Sequence, residues 1–88
     1  MGFQWDTAKN ASNKAKHSVS FEQAAQIFRG PILKKLDDRF EYGEARFIAL
    51  GLYDGEVLSV VFTERDGDLR LISARKAYKH ERDKYESL

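Results

Sequence analysis

Apolar residues change their period once along the chain, at Gly30-Pro31. Before that dipeptide they recur at helical spacing, and after it they alternate as strands do. Phe3-Gln4-Trp5 reads as a short strand ended by Asp6, whose carboxylate is placed to cap a helix. Ala8, Ala11, Ser12 and Ala15 then share one helical stripe, with Lys9, Asn13, Lys14 and Lys16 outside it. The expectation is a helix that approaches its neighbour closely through small residues. Ser20 with Gln23 makes a capping box, Val19 with Ala24 a hydrophobic staple, and Phe21, Ala24, Ala25 and Phe28 the buried stripe of a second helix. Gly30 is expected to end it in the left-handed conformation, and Pro31 cannot continue it.

Beyond Pro31 the pattern predicts strands over Ile32–Leu36, Glu44–Tyr53, Glu56–Arg65 and Leu69–Lys76, with an acidic loop over Asp37–Gly43. The first of these is short and charged and belongs at a sheet edge. Asp54-Gly55 and Asp66-Gly67 separate the last three, and Asp-Gly is the strongest short hairpin signal because a type I′ turn needs positive φ twice. Two-residue turns fix the register. One face then carries the rows Arg46–Thr63–Arg70, Ile48–Val61–Ile72 and Leu50–Ser59–Ala74. The other carries Ala45–Glu64–Leu69, Phe47–Phe62–Leu71, Ala49–Val60–Ser73 and Gly51–Leu58–Arg75. The second face holds the aromatics and is expected under the N-terminal helices, since each buried Phe is worth about 1.5–3 kcal/mol. A polar helix closes the chain from about Ala77 to Glu86.

At 88 residues the chain is a single domain, 1–88, without a second core. The absence of cysteine excludes a disulfide framework, a thiolate metal site and a thiol nucleophile. No apolar run reaches the roughly 18 residues of a membrane span, and no leader pattern is recognisable, so no membrane partner and a cytoplasmic location are expected. Net charge is +1, but its distribution is uneven. Residues 1–35 carry six bases and two acids, residues 36–68 three bases and nine acids, and residues 69–88 six bases and three acids. Two basic ends flank an acidic middle, which allows a local cationic face. In the row Arg46–Thr63–Arg70 two guanidinium groups need an anion between them: a carboxylate such as Glu44 is one candidate and a phosphate the other.

Six short motifs in order carry a resemblance. They are F-x-W-D at Phe3–Asp6, K-H with V-S-F at Lys16–Phe21, G-E-x-R-F at Gly43–Phe47, V-F-T-E-R at Val61–Arg65, R-x-I-S-A-R at Arg70–Arg75 and E-R-x-x-Y at Glu81–Tyr85. Together they resemble the BrnT-type toxins over nearly the whole chain. Ser18 stands where the family more usually has Gly, and Tyr78-Lys79 where a capping hydroxyl is usual. The resemblance implies an α+β, RelE-like fold, with two N-terminal helices packed on an antiparallel sheet and a C-terminal helix. It implies the toxin of a type II toxin–antitoxin pair: a metal-independent endoribonuclease that cleaves mRNA, free or on the ribosome, and so inhibits translation. It also implies a BrnA-type ribbon-helix-helix antitoxin, with operator DNA reached only through that partner, and no cofactor. A non-catalytic module that only binds the antitoxin is the alternative.

A metal-free ribonuclease uses the 2′-OH of the RNA as nucleophile. It needs a base for that proton, a cation for the crowded phosphate and an acid for the leaving 5′ oxygen. Arg70, Arg75, Arg46 and Arg65 are the electrostatic candidates, Arg70 first because row and motif agree on it. The register sends Arg70 and Arg75 to opposite faces, so they can meet one phosphate only if a bulge or the strand end re-aims one of them. His17, which closes a helix where the dipole favours a cation, and Tyr85 are the acid–base candidates. Each also has a structural reading, as a capping His and a docking aromatic. Glu64 is a further base, turned to the helix side, and His80 reads as surface. Thr63, Lys16, Lys76 and Lys79 are the expected RNA contacts, with Lys9 and Lys14 on a solvated face and Trp5 in the core. Two His far apart in sequence, with no acidic residue at ligand spacing, are poor material for a metal site.

Overall fold

The computed structural model describes residues 2–88. Its elements are β1 (Phe3–Gln4), α1 (Thr7–His17), α2 (Phe21–Ala25) running into a 3-10 turn (Gln26–Arg29), β2 (Leu33–Asp37), β3 (Arg46–Tyr53), β4 (Glu56–Arg65), β5 (Asp68–Lys76) and α3 (Lys79–Glu86). The five strands form one sheet in the order β1-β5-β4-β3-β2. β2 is an edge strand, as its charge suggests. The sheet is mixed rather than wholly antiparallel, because β1 pairs parallel with β5 through Phe3–Leu69 and Gln4–Arg70. Asp68 holds β1 there, its carboxylate accepting from the Gly2 amide at 2.9 Å and from the Gln4 side chain at 3.2 Å.

Both hairpin turns are of the expected kind, with positive φ at Asp54 and Gly55 and at Asp66 and Gly67. From the second turn the β4–β5 register runs as the sequence dictates through Arg65–Asp68, Thr63–Arg70 and Phe62–Leu71. It then breaks. Val61 faces Ser73, Val60 faces Ala74, Ser59 faces Arg75 and Leu58 faces Lys76, leaving Ile72 as the extra residue of a β-bulge. Every expected row beyond Leu71 is therefore shifted by one on β5, and Arg75 changes face.

The face away from α3 carries the main core. Phe21, Ala24 and Ile27 cluster there with Ala49, Val60, Phe62, Leu71 and Ala74, and Phe28 meets Phe62 edge-on at 5.3 Å between centroids. At Gly51 a Cβ would lie 2.8 Å from the Ile27 Cβ, so glycine lets the 3-10 turn sit directly on β3. Ser20 and Gln23 form the capping box. The helix does not end as expected, however: it tightens to 3-10 at Gln26 and leaves through an extended Gly30. The left-handed C-cap belongs to α1 instead, at Ser18 with φ +60°, a conformation that explains why Gly would suit that position.

The small-residue stripe of α1 is also placed differently. Ala8, Ala11, Ser12 and Ala15 are exposed, and the buried residue is Asn13. Its amide nitrogen donates to the carbonyls of Val19 (2.9 Å) and Ala74 (2.8 Å), and its oxygen accepts from the Ala74 amide (3.2 Å). β1 covers only the first part of β5, so Asn13 satisfies backbone groups that a neighbouring strand would otherwise take. Its burial is set by those polar groups, which hydrophobic periodicity does not register.

Candidate active site

The bulge decides what the second face of the sheet presents. Arg46, Ile48 and Leu50 of β3, Ser59, Val61 and Thr63 of β4, and Arg70, Ser73 and Arg75 of β5 share that face. α3 closes one end of it, where Tyr85 and Ala77 pack with Leu50, Val57 and Leu33. The rest stays open. A concavity of about 220 Å³ lies there, lined by Ile48, Ser59, Val61 and Ser73 with His17, Arg39, Arg75 and Tyr78 at its rim. His17 reaches it because it ends α1, the helix that Asn13 fastens to the edge of β5.

Arg75 is held rigidly. Its guanidinium donates to both Glu81 oxygens at 2.8 and 3.1 Å and lies 4.0 Å above the Tyr78 ring. Glu81 also accepts from the Tyr78 amide at 2.7 Å, so one carboxylate caps α3 and orients the arginine. Burial alone would push the Glu81 carboxyl up, but the Arg75 fork and the Tyr78 amide hold it below its ordinary value.

A second arginine is braced from the loop after β2. Arg39 donates to both oxygens of Asp37, at 2.7 and 2.9 Å, and the Tyr42 hydroxyl donates to the same carboxylate at 3.1 Å. The Asp37 side chain is fully buried, and the Arg39 hydrogen bonds bring its carboxyl down to about 2 against the opposing effect of burial. The Tyr42 ring carries Arg46 at 4.2 Å, and Glu44 joins Arg46 (3.2 Å) to Arg65 (3.1 Å). Arg46 thus has the ordinary carboxylate partner that its row called for. Arg70 contacts the Gln4 side chain at 3.5 Å and has no acidic partner among the described residues.

Not every candidate is placed to meet a ligand on this face. Thr63 is 3% exposed and its hydroxyl donates to the Ala45 carbonyl at 2.7 Å. Tyr85 is buried beneath α3 and donates to the Pro31 carbonyl at 2.7 Å, which is the docking-aromatic reading. Both hydroxyls are buried and donate to backbone carbonyls, so neither turns a free donor to the open face. Lys76 lies opposite Leu58, on the helix-side row, and pairs with Glu56 at 3.5 Å; Lys79 pairs with Asp83 at 2.8 Å. Lys16 and His80 are exposed. Among the described residues no three His, Cys, Asp or Glu side chains come together as metal ligands. Sequence reasoning missed Arg39 and Tyr78. Arg39 was signalled only as the one base in an acidic loop, and Tyr78 only as a departure from the usual capping hydroxyl.

Comparison with known families gives this geometry its context. The family described as ribonuclease toxin, BrnT, of type II toxin–antitoxin systems matches residues 5–81. The chain belongs to the BrnT toxin family. Membership makes it a ribonuclease toxin of a type II system, and such a system pairs the toxin with an antitoxin. The match takes in every side chain at the rim of the concavity, from His17 to Tyr78, and the Glu81 that braces Arg75. No individual curated protein matches the chain significantly. No helix among the described residues is long and apolar enough to cross a membrane.

Proposed function

We propose that this BrnT chain is a metal-independent endoribonuclease that cleaves single-stranded RNA on the open face of the sheet. One observation carries the reading. The bulge at Ile72 turns Arg75 to the face of Arg70, where Arg75 and Arg39 share one concavity with His17. In this reading a phosphate of the RNA lies between the two guanidinium groups. Arg is suited to that role because its planar fork matches two phosphate oxygens and keeps its charge. Histidine exchanges protons near neutral pH, so His17 takes the proton of the 2′-OH. The O2′ attacks phosphorus, and the bond to the 5′ oxygen breaks. That oxygen leaves with a proton from water, and the hydroxide so formed takes the proton back from His17, giving a 2′,3′-cyclic phosphate and a 5′-OH end. Arg75 and Arg39 stabilise the charge that gathers on the phosphate oxygens. Arg70, Arg46 and Arg65 hold the strand further along the same face, with Lys16 steering the approach.

The biological reading follows: cleavage of mRNA, free or ribosome-bound, in the cytoplasm inhibits translation. The α+β fold is then of the RelE-like class, and the partner is a BrnA-type ribbon-helix-helix antitoxin that alone contacts operator DNA. One observation favours the binding-only alternative. Arg75, Arg46 and Arg65 already hold carboxylates, as they would if their task were to present a fixed surface to a protein. The test is to incubate purified protein with single-stranded RNA and with the same strand carrying 2′-O-methyl sugars. Cleavage of the first alone, with cyclic phosphate ends, supports the enzyme. No cleavage of either supports the binder.

A further inference from the structure

A second concavity on the open face lies beside the site above. It lies between β2 and α3 and encloses about 150 Å³. Its floor is Leu33, Ile48 and Leu50, and Lys35 and Lys84 stand at its rim. Lys35 is opposite Ile48 in the β2–β3 ladder, which places it on the open face. Ile48 lines both concavities, so the two are neighbours on that face. The carboxylate beside the groove, Glu81, already holds Arg75. Lys35 and Lys84 have no acidic partner among the described residues, unlike Lys76 and Lys79. An apolar floor under two unpaired ammonium groups is complementary to a segment that is flat and apolar in its middle and anionic at its links. Single-stranded RNA has that chemistry, since its unpaired bases splay out and its phosphates recur.

We infer that this groove is a subsite for a nucleotide flanking the cleaved linkage: its base lies on Ile48 and Leu50, and adjacent phosphates meet Lys35 and Lys84. This rests on the ribonuclease reading and adds a substrate requirement to it. The enzyme prefers strands longer than a dinucleotide, and the preference tolerates different bases because an aliphatic floor offers no hydrogen bonds to their edges.

Two measurements on the full chain test it, with the double variant Lys35→Ala/Lys84→Ala. The first is anisotropy of a labelled, randomised 2′-O-methyl RNA hexanucleotide, which cannot be cleaved. Releasing two phosphate contacts should weaken binding about 25-fold at 0.1 M salt and lower the log–log salt slope by about 1.4. The second is cleavage: kcat/KM for the hexanucleotide should fall by a similar factor, with dinucleotide cleavage unchanged. Unchanged hexanucleotide affinity and slope overturns the subsite, as does equal loss on both substrates. So does loss of antitoxin binding with RNA binding intact, which would give the groove to the protein partner. If wild type cleaves neither substrate yet the variant loses affinity as expected, the RNA contact at Lys35 and Lys84 stands, and the ribonuclease reading falls together with the placement of the groove beside a cleaved linkage.

Discussion

Asn13 offers the sharpest test of how α1 is held, because its contribution can be worked from its contacts. Three backbone groups depend on it: the Val19 carbonyl and both polar groups of Ala74. Asn13→Ala removes all three bonds and leaves their partners in a buried setting. A hydrogen bond of this kind contributes about 1 kcal/mol net, and a group left buried without a partner costs about 1–3 kcal/mol. A total loss of about 3 kcal/mol is therefore the modest estimate, against a stability of roughly 5–15 kcal/mol for a domain. With a urea m-value of about 1 kcal/mol/M, the midpoint should fall by about 3 M. Asn13→Asp keeps the acceptor for the Ala74 amide but loses both donors, and should fall nearly as far at neutral pH. Urea denaturation followed by Trp5 fluorescence reads both variants. A loss below about 1 kcal/mol for Asn13→Ala would refute the argument that this side chain replaces a missing strand at the edge of β5. The consequence reaches the site, since His17 lies one turn beyond Asn13 on the same helix.

Three further outcomes follow from the geometry. Glu81→Gln releases the Arg75 fork and weakens the α3 cap, so RNA cleavage should fall about 10- to 100-fold through misplacement of the cation, while circular dichroism stays native; unchanged kinetics would mean Arg75 needs no brace. Asp37 has its folded value lowered to about 2 by Arg39, so its stabilisation is present above its unfolded value and is lost as pH falls from about 4 towards 2. Asp37→Asn should flatten the stability–pH curve in that window, and an unaltered curve would contradict the assignment. Tyr85→Phe loses one hydrogen bond to the Pro31 carbonyl, at about 1 kcal/mol in thermal or urea unfolding, and leaves cleavage by the folded protein untouched; a large loss of activity would return Tyr85 to the site.

Features written in local chemistry were legible in the sequence. Asp6 caps α1, Ser20 with Gln23 boxes α2, and two Asp-Gly turns set the registers of β3, β4 and the start of β5. Each is a matter of a few adjacent residues. The features that make the site are not local. The bulge at Ile72 interrupts a regular pattern of alternation with no glycine or proline to mark it, so counting from the turn carried Arg75 to the wrong face. Asn13 turns inward for backbone groups of β5 that lie sixty-one residues away in sequence. β1 pairs in parallel with the far end of the chain, a contact no hairpin signal announces. Arg39 enters the rim because a buried Asp37 fixes it, and burial of an aspartate at the end of a charged edge strand has no sequence signature.

In the proposed mechanism Arg75, re-aimed by the bulge and braced by Glu81, stabilises the cleaved phosphate. The most direct test of that claim is single-turnover cleavage of an RNA oligonucleotide by Arg75→Ala, beside urea unfolding and antitoxin binding of the same preparation. A rate at least about 100-fold lower is expected, as for removal of one electrostatic donor, with folding and antitoxin binding retained. Arg75→Lys should recover only a small part, because an ammonium cannot reproduce the fork on two phosphate oxygens. Cleavage by Arg75→Ala at the wild-type rate would contradict the claim and leave the arginine with a purely structural task at the head of α3.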